Sequence, residues 1–215
     1  MTQPRWAVVV PVKRLAVAKS RLRGALPGVP HEELALALAS DTLRAVLACP
    51  AVAEALVVTD DARVAAAARA GGARVLPDEP DAGLNAAFRH GAASAVGGWV
   101  AGITADLPAL RPAELAGALL AAQNSRPGVR RFLPDAPGGG TVLLTAGPGV
   151  PLDPRFGVGS AVAHAASGAQ PLEGDWPSLR RDVDTAADLV AAARLGLGPR
   201  TAALVAAGRP ARAAG

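Results

Sequence analysis

The sequence predicts an α/β fold: one domain with a mainly parallel, mixed central sheet flanked by helices, of the Rossmann-like kind. Three observations carry that reading. Short, β-rich apolar runs alternate with Ala- and Leu-rich amphipathic segments. Helix-starting and helix-stopping residues fall between them. The length of 215 residues suits one large domain with a sizeable core. Residues 1–197 are assigned to that domain and 198–215 to a C-terminal helix and tail.

Residues 6–12 begin with "WAVVVP", a continuous apolar run expected of a strand buried on both faces. Residues 31–48 read as a helix. Pro30 stands at its start, Glu32 and Glu33 suit the positive end of its dipole, and Leu36, Leu43 and Leu47 share a face. "EALVVT" (54–59) is the next strand, and "DDARVAAAARAGG" a helix with an Asp cap and a stop at Gly71. "ARVL" (73–76) is a short strand, 82–95 a helix, 99–105 a strand, and 111–124 a helix with Pro112 near its start. Two strands, 129–134 and 141–146, are joined by "DAPGGG". A helix over 157–168, a strand at "LRRDV" (179–183) and a helix over 184–196 follow. Thr185 and Asp188 approximate a capping box for the last. The Ala-rich tail beyond Gly198 is expected to carry a short helix and end in disorder.

Composition narrows the function. Hydrophobic residues make up 51% but aromatics only 3%, so the core must be built from Val, Leu and Ala. A net charge of +4 is too weak, and too poor in interleaved aromatics, for a nucleic-acid partner. It suits a small polyanion. Cys49 is the single cysteine, which excludes a disulfide framework and a cysteine metal site, and is expected to be structural at a helix end. No stretch reaches the roughly 18 to 20 apolar residues of a membrane span. With no signal peptide read at the N-terminus, a cytoplasmic protein is expected.

In parallel sheets, ligands bind beyond the carboxyl ends of the strands. Lys13, Asp60, Pro77 and Asp106 each directly follow an expected strand and should line that edge. Pro11 ends the first strand, and Lys13, Arg14, Lys19, Ser20 and Arg21 follow as cations and a hydroxyl able to hold phosphate. The loop contains neither a Walker motif nor G-x-G-x-x-G, and a solvated surface loop is the competing reading. Asp106, before the break at Pro108, can hold a divalent cation or serve as a turn residue. Asp184, at a strand-to-helix junction, can do the same or cap the helix. Asn85, in the first turn of a helix, has an amide that can read a base or ribose. Thr141 after three glycines, and Gly157 and Ser160 opening a helix near Arg155, offer donors to an anion, or simply a flexible turn and a cap. His31, His90 and His164 lack metal-ligand spacing; the last two are expected to be mid-helix and partly exposed.

Seven segments recur in a familiar order: "VPVKRLAVAKSRL", "VVTDD", "GLNAAF", "TADLPAL", "GGGTVLL", "RFGVGSAVAH" and "RRDVDTAADL". Together, over residues 6 to 197, they resemble the guanylyltransferase family of deazaflavin coenzyme biosynthesis, whose members act on 2-phospho-L-lactate or phosphoenolpyruvate. That family is similar in fold to nucleotide-diphospho-sugar and molybdopterin nucleotidyltransferases, which usually carry a Gly-rich loop after the first strand that is absent here. The resemblance implies that the phosphate of a three-carbon acid attacks the α-phosphorus of GTP, with Mg2+ required and pyrophosphate leaving. It implies that Lys13, Lys19 and Arg21 hold the triphosphate and that Asp106 and Asp184 hold Mg2+. Asn85 and the loop from Pro77 would contact guanosine, and Thr141, Gly157 and Ser160 would bind the acid. Phosphoenolpyruvate is the favoured acceptor on the Ala/Arg-rich, actinobacterial composition. The alternatives are 2-phospho-L-lactate, a sugar phosphate, a molybdenum cofactor, or a nucleotide-binding regulatory protein without turnover. No membrane or nucleic-acid partner is expected, and a homodimer is the working expectation for assembly.

Overall fold

A computed structural model describes residues 5–79 and 81–208. Strand β1 (Trp6–Pro11) is buried at every position, as its unbroken apolar run requires. Helix α1 (His31–Leu47) follows, then β2 (Val52–Val58), α2 (Ala62–Ala70), β3 (Arg74–Leu76), α3 (Leu84–Ala93) and β4 (Val100–Ile103). The Asp61 carboxylate caps α2 by accepting from the backbone N–H groups of Arg63 and Val64. After α4 (Pro112–Gln123), β5 (Arg131–Pro134) and β6 (Thr141–Ala146) form the expected hairpin. The remainder is α5 (Ser160–Ala166), β7 (Gln170–Pro171), α6 (Pro177–Arg180), α7 (Ala186–Leu195) and α8 (Pro199–Ala207).

The seven strands lie in the order β3-β2-β1-β4-β6-β5-β7. Strands β1 to β4 are mutually parallel, and β6 runs antiparallel to both β4 and β5. One apolar layer joins α1, α2 and α4 to one face of the sheet, and a second joins α3 and α5 to the other. At Gly91 of α3 a Cβ would stand 2.3 Å from Val9 Cγ1, so only glycine lets the helix lie this close to β1. The buried Phe88 of the same helix stacks on Phe156, with ring centroids 4.2 Å apart.

One expectation fails, and one strand was not foreseen. Residues 179–183 are not a strand: Pro177 opens the short α6, and Glu114 accepts from the N–H groups of Ser178 and Leu179, which fixes a helical turn there. The two-residue β7 was not anticipated; it pairs with β5 at the sheet edge, where a proline is tolerated. Thr185 and Asp188 form a complete capping box, so the cap of α7 is Thr185 and not Asp184. Helix α8 packs on α1, and the buried Asp41 accepts from the N–H groups of Arg200 and Thr201. The expected disorder at the chain's end lies outside the described residues.

Candidate active site

The carboxyl ends of β1 and β4 face a cavity of about 400 Å3 lined by Lys13, Lys19, Ser20, Arg21, Asp106 and Asp184, among others. The basic loop is tethered to α2, because Leu15 N–H donates to the Asp61 carboxylate at 2.9 Å. It ends at Lys19, whose φ of 53° is left-handed, a costly conformation for a side chain without special local bonding. That turn aims the ammonium at two carboxylates: Nζ donates to Asp106 and, at 2.5 Å, to Asp184 Oδ1. Burial alone would lower the Lys19 pKa; Asp106 and Asp184 outweigh it and hold the group above its ordinary value. The side chains of Lys13, Ser20 and Arg21 are exposed and have no partner among the described residues.

Asp106 is placed by α1. The buried Thr42 hydroxyl accepts from Leu107 N–H at 2.9 Å, and its one proton is shared between the carbonyls of Leu38 in its own helix and Ala105, pinning the turn after β4. The Asp106 carbonyl then accepts Val183 N–H at 3.0 Å, which docks residues 182–184 beside it. Val183 is fully buried, whereas Asp184 is exposed and Asp182 half-buried, close enough to Asp106 and Asp184 for their charges to act on it. Burial, then repulsion from Asp106, Asp184 and Asp135, pushes Asp182 up to about 7. Asp106 Oδ1 is buried with no hydrogen-bond partner. One ammonium therefore serves a crowd of carboxylates. Among the described residues no three metal-ligating side chains converge as a complete ligand set.

A neighbouring cavity of about 310 Å3 lies toward β2 and α3, lined by Pro11, Lys13, Asp60, Asp78 and Leu84 among others. Asp60 is engaged on both oxygens, by Asp78 N–H at 2.9 Å and by Arg14 at 3.2 Å. Pro77 is exposed just beyond β3. Across the sheet, Thr141 opens β6 next to the Gly-rich turn, and Ala161 N–H donates to Gly139, so α5 abuts that turn. Gly157 is exposed with φ 140°, and Ser160 is buried.

A family model described as "Guanylyl transferase CofC like" matches residues 6–169. The chain belongs to that family. It is 74% identical over 204 residues to a protein of Salinispora arenicola named phosphoenolpyruvate guanylyltransferase, covering 95% of this chain and 94% of the relative. A solved nucleotidyl transferase from Methanothermobacter thermautotroptrophicus has the same fold, with a TM-score of 0.65, 20% identity, and coverage of 90% of this chain and 98% of that one. Glucosyl-3-phosphoglycerate synthase from Mycobacterium tuberculosis, solved with Mg2+ and uridine-diphosphate, is a more distant likeness in fold. Its TM-score is 0.51 at 16% identity, over 79% of this chain and 69% of that one. The chain is thus a nucleotidyltransferase of the guanylyl transferase family, built on the nucleotidyltransferase fold.

Within this family member, several residues sit otherwise than the sequence suggested. Asn85 is not free to read a base: its Oδ1 accepts Phe156 N–H at 2.7 Å and its Nδ2 donates to the Phe156 carbonyl at 2.9 Å. It clasps the loop before α5. His164 is fully buried, not partly exposed, and both ring nitrogens are bonded. Arg14 pairs with Asp60 while remaining largely in solvent. Asp182 was missed. The signal was present in "RRDVDT", where an extended reading puts Asp182 and Asp184 on one face, but it needed the docking of Val183 on Asp106 to have meaning. No described helix is long and apolar enough to cross a membrane.

Proposed function

We propose that this chain transfers GMP from GTP to phosphoenolpyruvate, giving enolpyruvoyl-diphospho-guanosine and pyrophosphate, in deazaflavin coenzyme biosynthesis. The observation that carries the reading is the meeting of Lys19, Asp106, Asp182 and Asp184 at the carboxyl end of the parallel strands. It occurs in a chain 74% identical to a protein named for that reaction. The reaction, between two small phosphate-bearing metabolites, is assigned to the cytoplasm.

An oxygen of the acid's phosphate forms a bond to the α-phosphorus. The bond from that phosphorus to the oxygen bridging to the β-phosphate breaks, and its electrons leave with pyrophosphate. The attacking oxygen is already anionic, so no side chain has to take a proton from it. Such chemistry leaves the protein to position the reactants and neutralise charge. This suits a site of Lys, Arg and Asp in which His164 is fully engaged and Cys49 is buried elsewhere. Lys13, Lys19 and Arg21 bind the triphosphate and stabilise the leaving pyrophosphate, each contributing about 2 to 4 kcal/mol, by analogy with single oxyanion donors. Pro11, Ser20, Asp60 and Pro77 flank the nucleotide, and Thr141, Gly157 and Ser160 hold the acid. Asn85 supports that acid-binding loop from behind.

Mg2+ fits the chain's own donors. The unpartnered Asp106 Oδ1, and an Asp182 raised first by burial and then by neighbouring carboxylates, both favour a cation at this point. Hard carboxylate oxygens are the ligands it prefers. Asp106 and Asp184, which line the cavity, would hold it together with phosphate oxygens, and Asp182 adds negative charge beside them. When bound, it supplies Lewis-acid polarisation and charge neutralisation at the phosphates.

Pyrophosphate release with GTP, Mg2+ and a panel of acceptors tests the reading. Phosphoenolpyruvate should support the fastest release. Release with only a sugar phosphate, or none with any acceptor, would overturn it.

A further inference from the structure

Two consecutive backbone N–H groups leading into the Gly157–Ser160 turn are held by side chains from different helices. Phe156 N–H is taken by Asn85 of α3, and Arg155 N–H donates to His164 Nε2 of α5 at 2.9 Å. A backbone N–H can only donate, so Nε2 is the unprotonated nitrogen. The neutral ring then carries its proton on Nδ1. Nδ1 lies 3.0 Å from Thr141 Oγ1, so the ring donates to that hydroxyl. A hydroxyl that accepts from the ring must turn its own proton elsewhere. The Thr141 side chain has no other hydrogen bond among the described residues.

Register places the Thr141 backbone relative to the carboxylate cluster. Strand β6 runs antiparallel to β4 with Ile103 opposite Leu143, so the start of β6 lies beside the turn bearing Asp106. A Cβ at Gly140, next to Thr141, would run into the Asp135 carboxylate, and Asp135 is one of the carboxylates acting on Asp182. The ring itself is gripped by aromatic neighbours: Phe156 edge-on at 5.1 Å and Phe132 at 5.8 Å between centroids.

We propose that His164 is a positioning residue for the acid acceptor: its ring locks the Arg155–Phe156 segment to β6 and forces the Thr141 hydroxyl to act as a donor toward an anionic ligand. The polarity runs one way, from Arg155 N–H through the ring and the Thr141 hydroxyl to the anion. Burial first, then the nearby Arg130 and Arg155, lowers the ring's pKa to about 4, against the opposing Ser160 backbone and Asp153. The ring therefore stays neutral and the relay intact near neutral pH. This inference rests on the acid-binding role proposed above for Thr141, Gly157 and Ser160.

The test is steady-state kinetics of His164→Phe, which keeps an aromatic ring and removes both bonds, alongside Thr141→Val and the double variant. His164→Phe should raise the KM for phosphoenolpyruvate roughly tenfold, the loss of one hydrogen bond, and move the KM for GTP less than about twofold. The double variant should match Thr141→Val alone, roughly tenfold and not about a hundredfold, because both changes remove the same donor. An equal rise for both substrates, no rise for the acid, or multiplicative losses would overturn the proposal. The tautomer offers a measurement that needs no variant. Nitrogen NMR of the wild-type ring should show a protonated Nδ1 and a bare Nε2 near neutral pH, and the opposite tautomer or an imidazolium would overturn it. Wild-type protein that turns over no acid refutes the functional reading, whereas normal turnover with an unmoved acid KM in His164→Phe refutes this inference alone.

Discussion

Replacing Asp182 by Asn should stabilise the metal-free protein. Burial and three neighbouring carboxylates push Asp182 up to about 7 from the usual 3.8. The folded protein therefore binds a proton at Asp182 below about 7, while the unfolded chain does so only near 3.8. Between those values the folded state holds the extra proton. Stability falls as pH rises through that window and is lowest above it. About three pH units at about 1.36 kcal/mol each set an upper bound near 4 kcal/mol. Sharing of charge with Asp106 and Asp184 brings the expected gain to about 2 to 4 kcal/mol. Asn keeps the shape and removes the charge. The assay is urea unfolding of both proteins with a chelator present, from about pH 8 down to about pH 4. The advantage of Asp182→Asn should be largest at the alkaline end and shrink steadily on acidification. The His164 contribution is common to both proteins and cancels. Equal stabilities near pH 8, or a less stable variant, would refute the reasoning.

Other outcomes follow from the same geometry. Asp106→Asn should lower kcat at least about a hundredfold with the fold intact, read by pyrophosphate release and by the circular dichroism spectrum; near-normal turnover would remove Asp106 from the site. Lys19→Ala should cut kcat/KM for GTP about a hundredfold or more and leave acid affinity nearly unchanged, and the reverse pattern would relocate the triphosphate. For His164 the folded pKa of about 4 lies below the ordinary 6.5, so its contribution is whole above 6.5 and is lost as pH falls toward 4. That loss amounts to about 3 kcal/mol and should vanish from the pH profile of His164→Phe.

The parallel half of the fold was legible because β1, β2 and their helices announce themselves locally. An unbroken apolar run, Asp61 as a cap and Gly71 as a stop need no knowledge of the rest of the chain. The rule that ligands gather at the carboxyl edge then placed Lys19 and Asp106 in one cavity although 87 residues separate them. Where a side chain's role is set by a distant partner, the sequence was silent. Asn85 looks like a base reader until Phe156, 71 residues away, takes both ends of its amide. His164 looks like a surface residue of an Ala-rich helix until Thr141 and the Arg155 backbone close on its ring. The "LRRDV" segment reads as a strand from its composition, but Glu114 on another helix decides otherwise.

Oxygen labelling tests the central claim most directly, that the acid's own phosphate attacks the α-phosphorus of GTP. Phosphoenolpyruvate carrying heavy oxygen in its phosphate is incubated with GTP, Mg2+ and the wild-type protein, and both products are weighed by mass spectrometry. The label should appear wholly in the guanosine-containing diphosphate, with one heavy atom bridging the two phosphorus atoms, and the pyrophosphate should be unlabelled. Label in the pyrophosphate, or a product lacking the acid, would contradict the account.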